Sequence, residues 1–202
     1  ISRKSKIIRE PYLDKNIATV IFESSDYNAF PKLLKLQDGR LWCVFYQGNG
    51  HVDTNNAGKV VQTFSKDQGK TWTEPQIIAD EPDWDIRNPA LGQLDNGDLM
   101  LMYFLYNRSP KLSNRFIASK WKLSKDGGKT WGDSKTLTRD QYNPPKDDYD
   151  FKFAGISPFG NLFELGNKKI AAYYGVDDHG NNSINALQYH EKEDNWSFFS
   201  IP

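Results

Sequence analysis

The segment "YQGNGHVDTNNAG" holds His51 and Asp53 two positions apart, so in extended chain both side chains project to the same side. An imidazole beside a carboxyl group suits proton transfer; the same pair also suits cross-bracing of a loop rich in Gly and Asn. A second group follows in "DEPDWDIRNP", where Asp83, Asp85 and Arg87 alternate around Trp84. A guanidinium presents a planar fork that matches a carboxylate, and the alternation fits either a ligand contact or an internal salt-bridge network. In "RDQYNPPKDDYDFKFAG", Asp147, Asp148, Asp150 and Lys152 accompany Tyr142 and Tyr149, as in a rim over a binding site or in a solvated insertion. Lastly, "GVDDHGNNS" sets Asp177 and Asp178 beside His179. Acidic residues next to a histidine can bind a metal, but this string lacks dedicated ligand spacing, and neither metal nor cofactor is expected.

These segments need a scaffold, and the chain repeats one. "SKDQGKTW", Ser65 to Trp72, recurs as "SKDGGKTW", Ser124 to Trp131, with one position changed. Every member suits a rigid turn. Ser65, Asp67, Ser124 and Asp126 can bond backbone N–H groups, while Gly69 and Gly128 accept a left-handed backbone that a side chain resists. Trp72 and Trp131 then pack a large face between sheets. The octapeptide therefore reads as architecture rather than chemistry. A third, eroded copy, "EKEDNW", keeps an acidic residue and Trp196, which is expected to occupy the place of the other two tryptophans.

Other markers keep the same time. Pro31, Pro89 and Pro158 each open an apolar stretch, and Asp38-Gly39, Asn96-Gly97 and Gly166-Asn167 follow as turns. Then come "RLWCVFY", "DLMLMYFLY" and "KKIAAYYG", and after a polar loop a further strand leads into each octapeptide. Asp-Gly and Asn-Gly between apolar runs are strong hairpin signals, and helical periodicity is nowhere convincing. Four antiparallel strands per unit, repeated, are the blades of a β-propeller. The expected fold is all-β: one domain over 1–202, with blades near 28–78, 86–137 and 154–202. Glycine turns and octapeptides fall at one end of the blades. The segments carrying the candidate residues are assigned to loops at the other end, where concave sites form.

Composition narrows the partners. With 26 basic and 26 acidic residues the formal net charge is zero, which removes the electrostatic argument for nucleic acid or an anionic membrane. No apolar run approaches the ~20 residues of a membrane-spanning helix, and no secretory leader is evident. The single cysteine, Cys43 in "RLWCVFY", excludes an internal disulfide and reads as a small buried hydrophobe.

The two octapeptides resemble the Asp-box, or BNR repeat, of the sialidase-like propellers, whose pattern is Ser-x-Asp-x-Gly-x-Thr-Trp. "RNPALGQLDNGDLMLMYF" and "SPFGNLFELGNKKIAAYYG" also resemble blades of that superfamily, so the likeness runs from about Phe30 onward. It implies a carbohydrate ligand and an exo-acting glycoside hydrolase of altered or unknown specificity. The alternative is a noncatalytic glycan-binding or structural module on the same scaffold. By this resemblance Asp53 matches the acid/base aspartate and Arg87 an anion or hydroxyl contact. His51, Trp84, Asp85, Asp150 and His179 are the candidate substrate contacts. The family closes its ring with six blades, so the remainder is expected from a longer chain or from a second copy, and an extracellular location is favoured. One departure stands out. Where the family carries Phe/Tyr-Arg-Ile-Pro, this chain reads "NAFP", with Ala29 in place of the arginine that helps clamp a sugar carboxylate.

Overall fold

The computed structural model describes residues 20–51, 58–108, 116–137, 156–176 and 182–198. The first sheet consists of β1 (Tyr27–Lys35), β2 (Leu41–Gly48), β3 (Lys59–Ser65) and β4 (Gln76–Ala79), paired antiparallel in chain order. The second sheet repeats this with β5 (Asp85–Gln93), β6 (Leu99–Tyr106), β7 (Phe116–Ser124) and β8 (Lys135–Thr136). In the third, β9 (Ile156–Pro158) and β10 (Phe163–Leu165) both pair with β11 (Lys168–Val176), which β12 (Asn182–His190) and β13 (Asn195–Phe198) follow.

Each proline marks a disturbance of the inner strand. Proline has no N–H for the ladder, so the chain bulges there. The register slips between Ala29 and Lys32 in β1 and between Arg87 and Ala90 in β5. Phe30 (φ 53°) and Asn88 (φ 47°), each directly before a proline, take the left-handed backbone. In the third sheet the inner strand breaks into β9 and β10 around Gly160, at φ 110°.

Alternation along the strands assigns faces. Leu99, Leu101, Tyr103 and Leu105 of β6 join Trp42, Val44, Val60 and Phe64 in the core between the first two sheets. Met100 and Met102 point the other way and meet Trp121, Ala171, Tyr173, Leu187, Tyr189 and Trp196 between the second and third. The sheets thus stack face to face in chain order, as successive propeller blades do. The far side of the first sheet carries Cys43, Phe45 and Val61, on which Ile21, Phe22 and Trp72 pack.

The octapeptides are closed on themselves. Ser65 Oγ accepts the Gly69 amide at 2.8 Å, and Asp67 accepts the Thr71 amide at 2.9 Å and its hydroxyl at 2.6 Å. Ser124, Asp126, Gly128 and Thr130 repeat the pattern. Gly69 and Gly128 sit at φ 89° and 93°. Hydrogen bonds from Thr71 and Thr130 hold the Asp67 and Asp126 carboxyls down to about 2. A carboxyl depressed in the folded state stabilises it above the unfolded value, near 4, and that contribution fades as pH falls through 2. Thermal stability is therefore expected to drop between pH 4 and pH 2. In the pair of variants Asp67→Asn and Asp126→Asn combined, that part of the acid slope should be flattened; an unchanged slope in scanning calorimetry would refute the assignment.

The two boxes differ at the indole. Trp72 Nε1 donates to the Gly69 carbonyl at 3.1 Å. The matching Gly128 carbonyl is taken by Gln62 Nε2 of the first sheet at 2.7 Å, which leaves Trp131 Nε1 buried without a partner among the described residues. The third tryptophan departs from the expected equivalence. Trp196 lies within β13, opposite Tyr189, whereas Trp72 and Trp131 lie outside any strand, just beyond their turns. The hairpin at Glu191–Asp194 lacks the Gly-x-Thr segment, so the chain enters β13 at once and the indole reaches the core from a strand. Trp131 and Trp196 nonetheless both face the preceding sheet in the chain, since Trp131 stacks on Trp42 and Trp196 meets Trp121.

Candidate functional site

Asp85 and Arg87 open β5 rather than ending a loop, and this corrects the loop assignment made from the sequence. The strand explains their placement. As alternate strand residues they lie on one side of the ladder, opposite Tyr106 and Phe104. The Asp85 side chain has no solvent exposure. Its Oδ2 accepts Arg87 Nε at 2.8 Å and Arg108 Nε at 2.5 Å, and its Oδ1 accepts the Tyr46 hydroxyl at 2.9 Å. Burial, then the Asp85 charge, pushes the Tyr46 phenol up to about 12. Gly58 makes this approach possible: a Cβ there would lie 1.9 Å from Asp85 Oδ1 and 2.3 Å from the Tyr46 ring.

Both guanidiniums continue to the first sheet. Arg87 Nη2 and Arg108 Nη1 donate to the His51 carbonyl, at 2.7 Å and 2.5 Å, and Arg108 Nη2 reaches the Gly50 carbonyl at 3.3 Å. Aromatic rings surround Arg87. Its guanidinium lies 4.9 Å from the Tyr106 ring centroid and 6.0 Å from that of Phe30, within cation–π range. Phe30 in turn meets Tyr46 and the His51 ring, and Tyr27 meets the same two. The backbone strain at Phe30 thus holds a ring in this collar. Two guanidiniums thus meet on one buried carboxylate, and their planar forks suit an anion or a hydroxyl-rich ligand.

The candidates separate accordingly. The structure brings His51, Asp85 and Arg87 together. Trp84 is not with them: it packs partly buried against the core between the first two sheets, and its amide bonds Glu81. Asp53, Asp150 and His179 lie outside the described residues, as do Asp147, Asp148, Lys152, Asp177 and Asp178. Among the described residues no group of three or more His, Cys, Asp and Glu side chains could hold a metal ion. Reasoning from sequence missed Arg108, Tyr46, Tyr106 and Phe30. Arg108 carried one signal, an arginine directly beyond an apolar strand in "YFLYNRS".

Ala29 and Arg87 hold corresponding places, each directly before a left-handed residue and a proline at the bulge. The first sheet lacks the arginine that the second presents. Ala29 instead lines a shallow apolar hollow with Ile21, Phe22, Asn28, Pro31, Cys43 and Phe45.

The BNR repeat-like domain family matches residues 39–147, more than half of the chain. No curated protein matches in sequence. Among solved structures, a protein of unknown function from Dyadobacter fermentans superposes with a TM-score of 0.70 at 23% identity, over 87% of this chain and 55% of that one. The NanB sialidase of Streptococcus pneumoniae superposes at 0.66 and 14% identity, over 91% of this chain and 46% of that one. The Trypanosoma rangeli sialidase in complex with sialic acid superposes at 0.62 and 16%, over 90% and 33%. The chain therefore spans about half the length of these relatives or less, and at such identities the likeness speaks for the fold. Three stacked antiparallel sheets, two of four strands and one of five, two closed octapeptides and this match together make the chain a partial sialidase-type propeller that belongs to the BNR repeat-like domain family.

Proposed function

We propose that this chain forms part of a glycan-active propeller, single-domain over 1–202, whose ligand lies over the Asp85–Arg87–Arg108 cluster. The carrying observation is the Arg87 guanidinium, oriented by Asp85 and the His51 carbonyl inside a collar of Tyr27, Phe30, Tyr46 and Tyr106. Arg87 keeps Nη1 without a hydrogen-bond partner among the described residues, an edge on which an acidic or hydroxylated sugar would sit. Asp53, two residues after His51, is the proposed proton donor to the glycosidic oxygen, which makes the protein an exo-acting glycoside hydrolase. Asp150 and His179 remain proposed contacts from the other loops.

The rest of the ring would cover the two end faces, where Phe45 and Trp72 stand on one side and Ile184, 77% exposed, on the other. Solution mass separates a longer chain from a second copy as its source.

A panel of acidic and neutral aryl glycosides tests the reading. Turnover of an acidic member, abolished by Asp53→Asn and lowered about a hundredfold by Arg87→Met, is the expected result. Ala29 favours a second reading, glycan binding without hydrolysis, because it removes one carboxylate contact from the clamp. Retention on a glycan array without any turnover would support that reading and end the first.

A further inference from the structure

Arg108 stands just beyond β6 and is only 9% exposed, an unusual depth for a guanidinium. Such a group must be compensated, and its fork is compensated from two sheets at once. Nε meets the Asp85 carboxylate of the second sheet, while Nη1 and Nη2 meet two successive carbonyls, His51 and Gly50, beyond the end of β2 in the first. The other foot of the same connection is fastened nearby. The Gly58 carbonyl accepts the Ile86 amide at 3.2 Å, and the Gly58 backbone lies against Asp85 so closely that no side chain fits. Both feet of the connection between β2 and β3 are thus tied to the opening residues of β5.

We propose that Arg108 is a positioning residue: it fixes the Gly50–His51 foot of the connection that carries Asp53 and, through the shared Asp85 carboxylate, the orientation of Arg87. This rests on the reading of the site given above. The planar fork matters more than the charge, since a lysine's single ammonium cannot meet a carboxylate and two carbonyls in one plane. Side-chain geometry in the first sheet is thereby made dependent on a residue of the second, and the glycan site exists only where the two sheets are docked.

Two measurements on Arg108→Lys, with Arg108→Met alongside, test this. In hydrogen exchange, peptides spanning 47–59 should exchange about tenfold faster while β6 and β11 stay as protected as before. Unchanged exchange at 47–59 overturns the inference, whatever the protein's activity. The second readout uses leaving groups. A displaced proton donor costs most where the departing oxygen needs a proton. The variant's kcat should therefore fall at least about tenfold on a phenyl glycoside and much less on the 4-nitrophenyl glycoside of the same sugar. Equal losses on both would mean only a smaller folded fraction, and would overturn the positioning role. Faster exchange at 47–59 in a protein that hydrolyses neither glycoside would uphold the anchoring by Arg108 and reject the hydrolase reading.

Discussion

Replacing Asp85 by alanine is expected to lower the unfolding free energy by about 3–5 kcal/mol, because it removes the carboxylate that two guanidiniums share, one of them deeply buried. Arg108 is held at 5% side-chain exposure, so it cannot rehydrate without opening the contact between the first two sheets, whereas Arg87, at 14%, keeps an edge toward solvent. The Tyr46 hydroxyl loses its acceptor in the same step. Since a domain's whole stability is of order 5–15 kcal/mol, chemical denaturation should show a shift close to the folding threshold. A second readout is electrostatic. The Asp85 charge contributes to raising the Tyr46 phenol to about 12, so in the variant that phenol should ionise at lower pH in an absorbance titration. Asp85→Asn keeps the shape and one acceptor oxygen but not the charge, and should fall between wild type and Asp85→Ala. A loss below about 1 kcal/mol in Asp85→Ala, the size typical of an exposed pair, would mean that the cluster is not a buried one.

The second large effect concerns the seam between the first two sheets. Trp42, with no solvent exposure, stacks on Phe64 at 6.2 Å and on Trp131 at 5.8 Å. Its Nε1 donates to Gln62 Oε1 at 3.2 Å, and Gln62 passes its own N–H to the Gly128 carbonyl of the second box. Trp42→Ala should cost about 3–5 kcal/mol through the cavity and the lost ring contacts. Trp42→Phe should restore most of that and leave about 1–3 kcal/mol for the unmet Gln62 oxygen. Equal losses in the two variants would show that the indole N–H, not the ring, governs the seam. A double-mutant cycle with Gln62→Leu isolates the coupling between the Trp42 indole and Gln62.

The parts legible in the sequence are those decided by near neighbours. The octapeptide bonds run from Ser65 to Gly69 and from Asp67 to Thr71, within a single turn, so the residue types announce the geometry. Asp38-Gly39 and Asn96-Gly97 do likewise, with Gly39 and Gly97 at φ 86° and 90°. Where the local signal was eroded, at Trp196, the expected place was also the one that moved. The candidate site was legible in part. Alternation singles out Asp85 and Arg87, but Trp84 beside them faces the core instead.

By itself the sequence determined the repeated antiparallel units, their closed turns and their order, since each depends on hydrogen bonds and periodicities spanning a few residues, though not the split inner strand of the third. Only the tertiary structure decided that Asp85 is buried between two arginines, that Arg108 reaches back to Gly50 and His51, and that an aromatic collar surrounds Arg87. Those groups come from β1, β2 and the chain just beyond it, β5, β6 and the chain beyond β6, and no local spacing encodes which of many charged side chains will meet when two sheets dock.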